Sequence, residues 1–385
     1  MYRIYHYFNY PTPLFSLIIT LIVIFILFAG IYMSLSRLFP RIDRKNFILL
    51  LSTLFSILLI LEIGLRISNK MVTYGEQRLG AYSFVHHGSF SDSFHLHYPG
   101  STFNLGSGEE FLYPRTANEF GLTDINWENE NPENKPRVLC LGDSFTEGDG
   151  APADSTWPVL LNNMFHSDSL DVQVLNAGVC GSDPYFELML FDEKFRYLQP
   201  DILIFTISMQ DFVEDIAVRG GNERFLPETG KKTKLIEVFY AYCHVARWVL
   251  HKRGYNWLLL KYTDDLIQDL ATKNVPEVMA NFAASQKKNP NTEYFVFLYP
   301  HKGALILGTI KEIQSALVKE SLKYPNINFI DLYDCYQTQI ASTNLPVDAF
   351  WWEKDGHHNS LGYSLKASCI NEHLGLYIPE IAGSK

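Results

Sequence analysis

The chain opens with two long apolar stretches and only later settles into short apolar runs separated by polar turns. Leu14 to Ser36 holds no charged residue over 23 positions, and roughly 20 apolar residues cross the hydrocarbon core of a bilayer as a helix. A secretory signal has a shorter apolar core and a small-residue cleavage site, so this run reads as a spanning helix. A second run, Asn46 to Leu65, is interrupted only by Glu62 near its end. A carboxylate there sits near the interface, where it costs far less than at mid-membrane. The pattern predicts a transmembrane hairpin within residues 1–69, with helices at 14–36 and 46–65. Arg37, Arg41, Arg44 and Lys45 lie between the two runs, opposed only by Asp43. The positive-inside rule places that loop in the cytoplasm. The chain beyond the hairpin is then periplasmic or extracellular.

Residues 70–135 are rich in Ser, Gly, His, Asn and aromatics, with weak periodicity. Ala81–His86 and Ser93–Tyr98 are candidate short strands, and a polar linker runs from Glu128 to Pro136. This segment reads as an irregular, partly β appendage. From Arg137 the pattern changes. Apolar strand candidates at Arg137–Leu141, Val172–Asn176, Asp201–Ile207, Tyr294–Tyr299 and Ile327–Leu332 alternate with helical segments. Those helices include Tyr185–Tyr197, Lys234–His251, Val275–Ser285, Leu305–Ser321 and Leu361–Glu372. Lys234–Leu250, with its aromatics, reads as a core or lid element. Short continuous apolar strands alternating with helices imply a parallel sheet covered on both faces. Residues 136–385 therefore form an α/β domain. In such sheets ligands bind beyond the carboxyl ends of the strands.

Composition narrows the class. The chain has 385 residues, 47% hydrophobic and 14% aromatic, and roughly 315 residues outside the hairpin suffice for one large core. The formal charge is −10, with no long basic block beyond the loop between the spans. Nucleic acid is therefore not an expected partner. The five cysteines, Cys140, Cys180, Cys243, Cys335 and Cys369, form no CxxC pair and no zinc spacing. Their odd count argues against a full disulfide framework; one bridge, Cys335 to Cys369, is an option outside the cytoplasm. His86, His87, His95 and His97 have no acidic or Cys partner at ligand spacing, so no metal and no cofactor is expected.

The candidate chemistry lies at strand ends. Gly142-Asp143-Ser144-Phe145-Thr146-Glu147-Gly148 follows the first strand. A serine held there is rigid yet open to substrate, although Ser and Asp also serve as plain helix caps. Near the other end stands Asp355-Gly356-His357-His358-Asn359. A serine hydroxyl is a weak nucleophile and needs a base. His supplies one near neutral pH, and an Asp fixes the imidazole tautomer. Oxyanion donors are available from the turn Asn176–Gly181 and from the Gln210 amide. Trp351 and Trp352, just before the histidine loop, are candidates for a sugar-stacking wall or for core packing.

These blocks resemble the SGNH/GDSL hydrolases. GDSFTEG matches the nucleophile block and NAGVCG the second block, where the family's oxyanion glycine falls on Gly181. Ser208-Met209-Gln210-Asp211 occupies the place of Gly-x-Asn-Asp, with Gln210 for the usual asparagine. DGHHNSLGY matches the last block, and the His-x-Asn-x-x-Gly spacing makes His357 the base and Asp355 its partner, with the adjacent His358 the alternative. The resemblance implies a flavodoxin-like three-layer α/β/α fold. It also implies acyl chemistry at Ser144, with the N–H groups of Ser144 and Gly181 and the Gln210 amide as oxyanion hole. With the membrane hairpin, it points to an esterase removing acyl groups, O-acetyl foremost, from envelope or secreted polysaccharide. Three alternatives stand beside it. One is an O-acyltransferase to a glycan, fed by a membrane acyl-donor partner protein. The others are a lipid esterase and a degenerate glycan-binding or assembly protein.

Overall fold

A computed structural model describes scattered positions between 18 and 33 and residues 44–68, 96–97, 99–106, 110–217, 220–222, 242–251, 264–307, 311–375 and 377–378. In chain order its principal elements are α1 (Arg44–Ile67), β1 (Thr102–Leu105), β2 (Tyr113–Thr116), β3 (Arg137–Gly142), α2 (Ser144–Glu147), α3 (Trp157–Ser167), β4 (Gln173–Asn176), α4 (Pro184–Leu190) and β5 (Ile202–Ile207). There follow α5 (His244–His251), α6 (Val275–Lys288), β6 (Glu293–Leu298), α7 (Lys311–Ser321), β7 (Ile327–Asp331), α8 (Tyr333–Thr343) and α9 (Ser360–Leu374). Two compact units result: Met1–Gly80 with Leu226–Lys261, and Ala81–Phe225 with Tyr262–Lys385.

The larger unit holds the expected sheet. Five strands pair in the order β4-β3-β5-β6-β7, all parallel. This is the flavodoxin-like order, whose ligand crevice lies where the order reverses, beside the first strand. The all-apolar strands explain themselves. Successive side chains alternate faces, so Val138 and Cys140 of β3 enter one core and Leu139 and Leu141 the other. One face is covered by α4, α6 and α7 and the other by α3, α8 and α9. Cys335 and Cys369 are disulfide-bonded, with Cα atoms 5.9 Å apart, which ties α8 to α9.

Some predicted elements differ. The helix expected at Tyr185–Tyr197 is regular only to Leu190. It continues as a π turn, Phe191–Phe195, and a 3-10 turn, Arg196–Leu198, and ends on Gln199 at φ 46°. The helix expected at Leu305–Ser321 is described as two pieces, Lys302–Leu307 and Lys311–Ser321. Helices α3 and α8 stand where none was predicted. The β-hairpin β1–β2 lies in the predicted appendage, whereas candidate strand Ala81–His86 and residues His87 and His95 lie outside the described residues.

In the smaller unit, α1 matches the second apolar run. Lys45–Ile67 is the one described helix long and apolar enough to cross a membrane. Of the first predicted span, the described residues include a shorter apolar helix, Thr20–Gly30. Of the predicted Lys234–His251 helix, residues 234–241 lie outside the described residues; α5 covers His244–His251, and Cys243 just before it is not helical.

Candidate active site

The nucleophile turn grows out of β3. Asp143 caps α2 by accepting the Phe145 N–H at 2.9 Å, so the first helical residue is Ser144. Gly148 closes the helix by donating its N–H to the Ser144 carbonyl at 2.9 Å. Every side chain of α2 is buried. The turn thus has one conformation, set by its own caps and by the core.

The late loop reaches the same place. Ser144 Oγ lies 2.7 Å from His357 Nε2. On the far side of the ring, His357 Nδ1 lies 2.5 Å from Asp355 Oδ1. An ionised carboxylate only accepts, so Nδ1 carries the proton and donates it. Nε2 is then left with its lone pair toward the serine hydroxyl. Burial pushes the His357 imidazole down, but the Asp355 hydrogen bond and the charges of Asp149, Asp355 and Asp143 outweigh it and raise its pKa above 6.5. Asp149 Oδ2 stands 4.0 Å from Nε2.

The neighbouring His358 is fully buried, with Nδ1 3.3 Å from the Phe350 carbonyl and Nε2 3.3 Å from the Tyr336 hydroxyl. Burial holds it well below the ordinary imidazole range. It packs, and His357 faces the serine. Trp351 is 3% exposed with its ring 4.5 Å from His358, so it offers no face to a sugar. Trp352 spends its indole N–H on the Gly150 carbonyl at 2.7 Å.

The second block is pinned against the first. Asn176 donates to the Thr146 carbonyl at 2.9 Å and accepts the Gly178 N–H at 2.9 Å. A Cβ on Gly178 would stand 2.2 Å from the Glu147 nitrogen, so only glycine fits. Glu147 takes the Cys180 N–H at 2.6 Å and His97 Nε2 at 2.5 Å. Gly181, at φ 68°, is the third residue of a turn closed by the Ser182 N–H on the Val179 carbonyl at 2.9 Å. A positive φ at the third position after a residue of ordinary φ is the type II pattern, which favours glycine there. Gln210, half-buried, leads the π turn Asp211–Ile216 at the end of β5. Its N–H lies 3.1 Å from Ser208 Oγ. The structure thus brings Ser144, His357 and Asp355 together. It places Gly181 and Gln210 beyond the carboxyl ends of β4 and β5, the strands flanking β3.

Several supporting residues were invisible in the sequence. Glu110, from the appendage, accepts the N–H groups of Glu353, Lys354 and Asp355, the last at 2.7 Å. Arg115 Nη2 donates to the carbonyls of Gly148 and Ala151, at 3.0 and 2.6 Å. Lys366 is buried in α9, with Nζ 3.2 Å from Thr206 Oγ1 and 3.7 Å from the Tyr299 ring centre. Burial pushes its amine down to about 7 against the pull of Asp143, Asp211 and Glu187. Tyr299 in turn donates its hydroxyl to Asp143 at 3.0 Å. A charged residue inside the apolar stripe of α9 was the one available signal. Among the described residues no cluster of His, Cys, Asp and Glu is arranged to hold a metal.

No family model matches the chain, and no curated protein matches it. Among solved structures it is similar to a GDSL-like lipase from Parabacteroides merdae, at 18% identity and TM-score 0.38, over 63% of this chain and 96% of that one. It is likewise similar to the lipase/acylhydrolase from Enterococcus faecalis, at 15% identity and TM-score 0.38, over 62% of this chain and 95% of that one. A two-domain esterase active on acetylated mannans matches at 13% identity and TM-score 0.39, over 63% of this chain and 48% of that one.

Proposed function

We propose that the chain is a membrane-anchored serine esterase of the SGNH/GDSL type, working outside the cytoplasm on acyl groups, O-acetyl foremost, of envelope or secreted polysaccharide. The observation that carries the chemistry is the line Ser144 Oγ–His357 Nε2–Asp355 Oδ1, with 2.7 and 2.5 Å between the partners on either side of the ring. His357 Nε2 takes the serine proton as Oγ attacks the acyl carbonyl carbon. The resulting imidazolium is held by Asp355 and gives the proton to the departing alcohol. Water then repeats the cycle on the acyl-serine. The amide of Gly181, the amide of Ser144 at the helix start and the Gln210 side chain are the donors for the oxyanion. The envelope substrate is favoured by helix α1, which is of spanning length.

Labelling the full chain in detergent with a fluorophosphonate tests the activated serine. The native chain reacts and Ser144→Ala does not. Absence of labelling in the native chain removes the reading. Release of acetate from acetylated glycan separates the polysaccharide substrate from a lipid ester. Transfer from an acetyl donor to bare glycan, with no net release of acetate, would instead make the chain a transferase.

A further inference from the structure

The described end of the segment predicted as a core or lid element, residues 242–251, belongs to the smaller unit. Residues 242–251 are fastened to the apolar helix α1 by that helix's own charged residues. Glu62 is fully buried. Its carboxylate accepts the N–H of His244 at 3.1 Å and of Val245 at 2.9 Å, the first two amides of α5. Arg66 donates to Glu62 at 2.8 Å and to the Tyr242 carbonyl at 2.8 Å. Thr20, from the first apolar run, donates to the same carbonyl at 2.5 Å. Glu62 thus does for α5 what an N-cap side chain normally does, but from another element.

The depth of this junction follows from helix geometry. Glu62 precedes Ile67, the last residue of α1, by about 7–8 Å along the axis at 1.5 Å per residue. In a bilayer that is just inside the hydrocarbon edge. A bare carboxylate or guanidinium there is costly, and so are unpaired peptide groups. Glu62, Arg66 and the peptides of residues 242–245 relieve one another. Residues 242–245 meet α1 at the end where Glu62 and Arg66 stand.

We infer that α5 is an interfacial helix, clamped by Glu62 and Arg66 to the outer end of α1 and lying in the headgroup layer, with a phospholipid surface as its partner. This rests on the reading of α1 as a membrane span. The composition fits the place. Val249 of α5 is 40% exposed and Val245, Ala246, Trp248 and Leu250 are half-buried, while Arg247 and His244 are buried. The sequence continues with Lys252, Arg253, Tyr255, Trp257 and Lys261, the basic and aromatic residue types that collect at membrane interfaces. Glu62 therefore has a positive task, fixing how deep this insertion sits.

Spin labels on the full chain in phosphatidylcholine–phosphatidylglycerol nanodiscs test the inference, reading accessibility to apolar oxygen and to an aqueous nickel chelate. Three separate variants carry the label: Val249→Cys, Ile57→Cys within α1 and Leu322→Cys on the catalytic unit, where the native residues are 40%, 55% and 80% exposed. The expected result is a deep signal at 57, an aqueous one at 322, and at 249 an intermediate depth with most nickel accessibility lost. Adding Glu62→Ala should return position 249 toward the aqueous value while 57 stays deep. A deep 57 with an aqueous 249 overturns the interfacial helix and leaves the span intact. A 249 label shielded from both reagents overturns it in favour of a protein partner. An unchanged 249 signal in Glu62→Ala overturns the clamp. An aqueous 57 removes the span itself, and with it the inference.

Discussion

The two halves of the proposed active site are held in opposite ways. The nucleophile turn is buried throughout and braced from every side. Asp143 caps it, Asn176 and Glu147 join it to the Asn176–Gly181 turn, and Arg115 grips its exit. The base loop is partly exposed, with Asp355 at 19% and His357 at 17% of side-chain area. Three of its amides, those of Glu353, Lys354 and Asp355, hang on one carboxylate, Glu110, while the Gly356 N–H goes to the Trp352 carbonyl and the His357 N–H to Asp355. The serine is therefore positioned by folding as a whole, and the histidine by a few separable contacts. Damage to the first half should appear mainly in stability, and damage to the second mainly in rate.

Asp355→Asn is the sharpest probe of that division. Asparagine keeps the shape but can stabilise the wrong tautomer, so kcat should fall about 10³–10⁴-fold. Thermal unfolding should barely move. A large drop in Tm would erase the contrast.

Glu147→Gln should do the reverse. Removing one charge of a buried pair costs about 3–5 kcal/mol, read as a fall in denaturant midpoint at constant slope. The sign with pH follows from the two partners. Burial pushes the His97 imidazole down, but the Glu147 charge and hydrogen bond outweigh it and leave its pKa above 6.5. Its contribution is full below that value and is lost as pH rises through the raised one. The Glu147 carboxyl, pushed up by burial yet held below 4.5 by His97, the Cys180 N–H and Arg115, contributes above 4.5 and loses this as pH falls through the depressed value. The pair thus supports the fold most between those values, and Glu147→Gln should flatten the stability profile there.

Glu110→Ala frees the three loop amides at the surface. A several-fold loss in kcat with unchanged unfolding is expected, and activity equal to native would show that the loop needs no brace. The smallest effect belongs to Asp149→Asn. Asp149 raises the His357 pKa, so the acid limb of kcat/KM should move to lower pH. A limb that stays in place would mean that Asp355 and Asp143 alone set it.

What the sequence revealed follows the same division. The strands were legible because a parallel sheet buried on both faces needs continuous apolar runs. Ser144, His357 and Asp355 were legible because each stands in a short block with its own turn chemistry. Helix α8 was not, because only Tyr336 and Ile340 of its stripe are buried. Helix α3 was hidden by Pro158 at its start and by Asn162 and Asn163. Glu110 was illegible for a different reason. Its partners lie 243 to 245 positions away, and nothing near residue 110 marks it as a brace. Lys366 shares that obscurity, since its carboxylate neighbours come from three distant segments.

Ser144 and His357 stand 213 positions apart in the chain. Chains are made from the amino end at about 5–20 residues per second, so the serine leaves the ribosome well before its base. During that interval β5, β6 and β7 are still being made, and Ser144 has neither the completed sheet nor the His357 ring beside it. The Ser144–His357 contact can form only once the loop ahead of α9 has been made. Until then the Ser144 hydroxyl lacks the basic partner that the proposed chemistry asks of it.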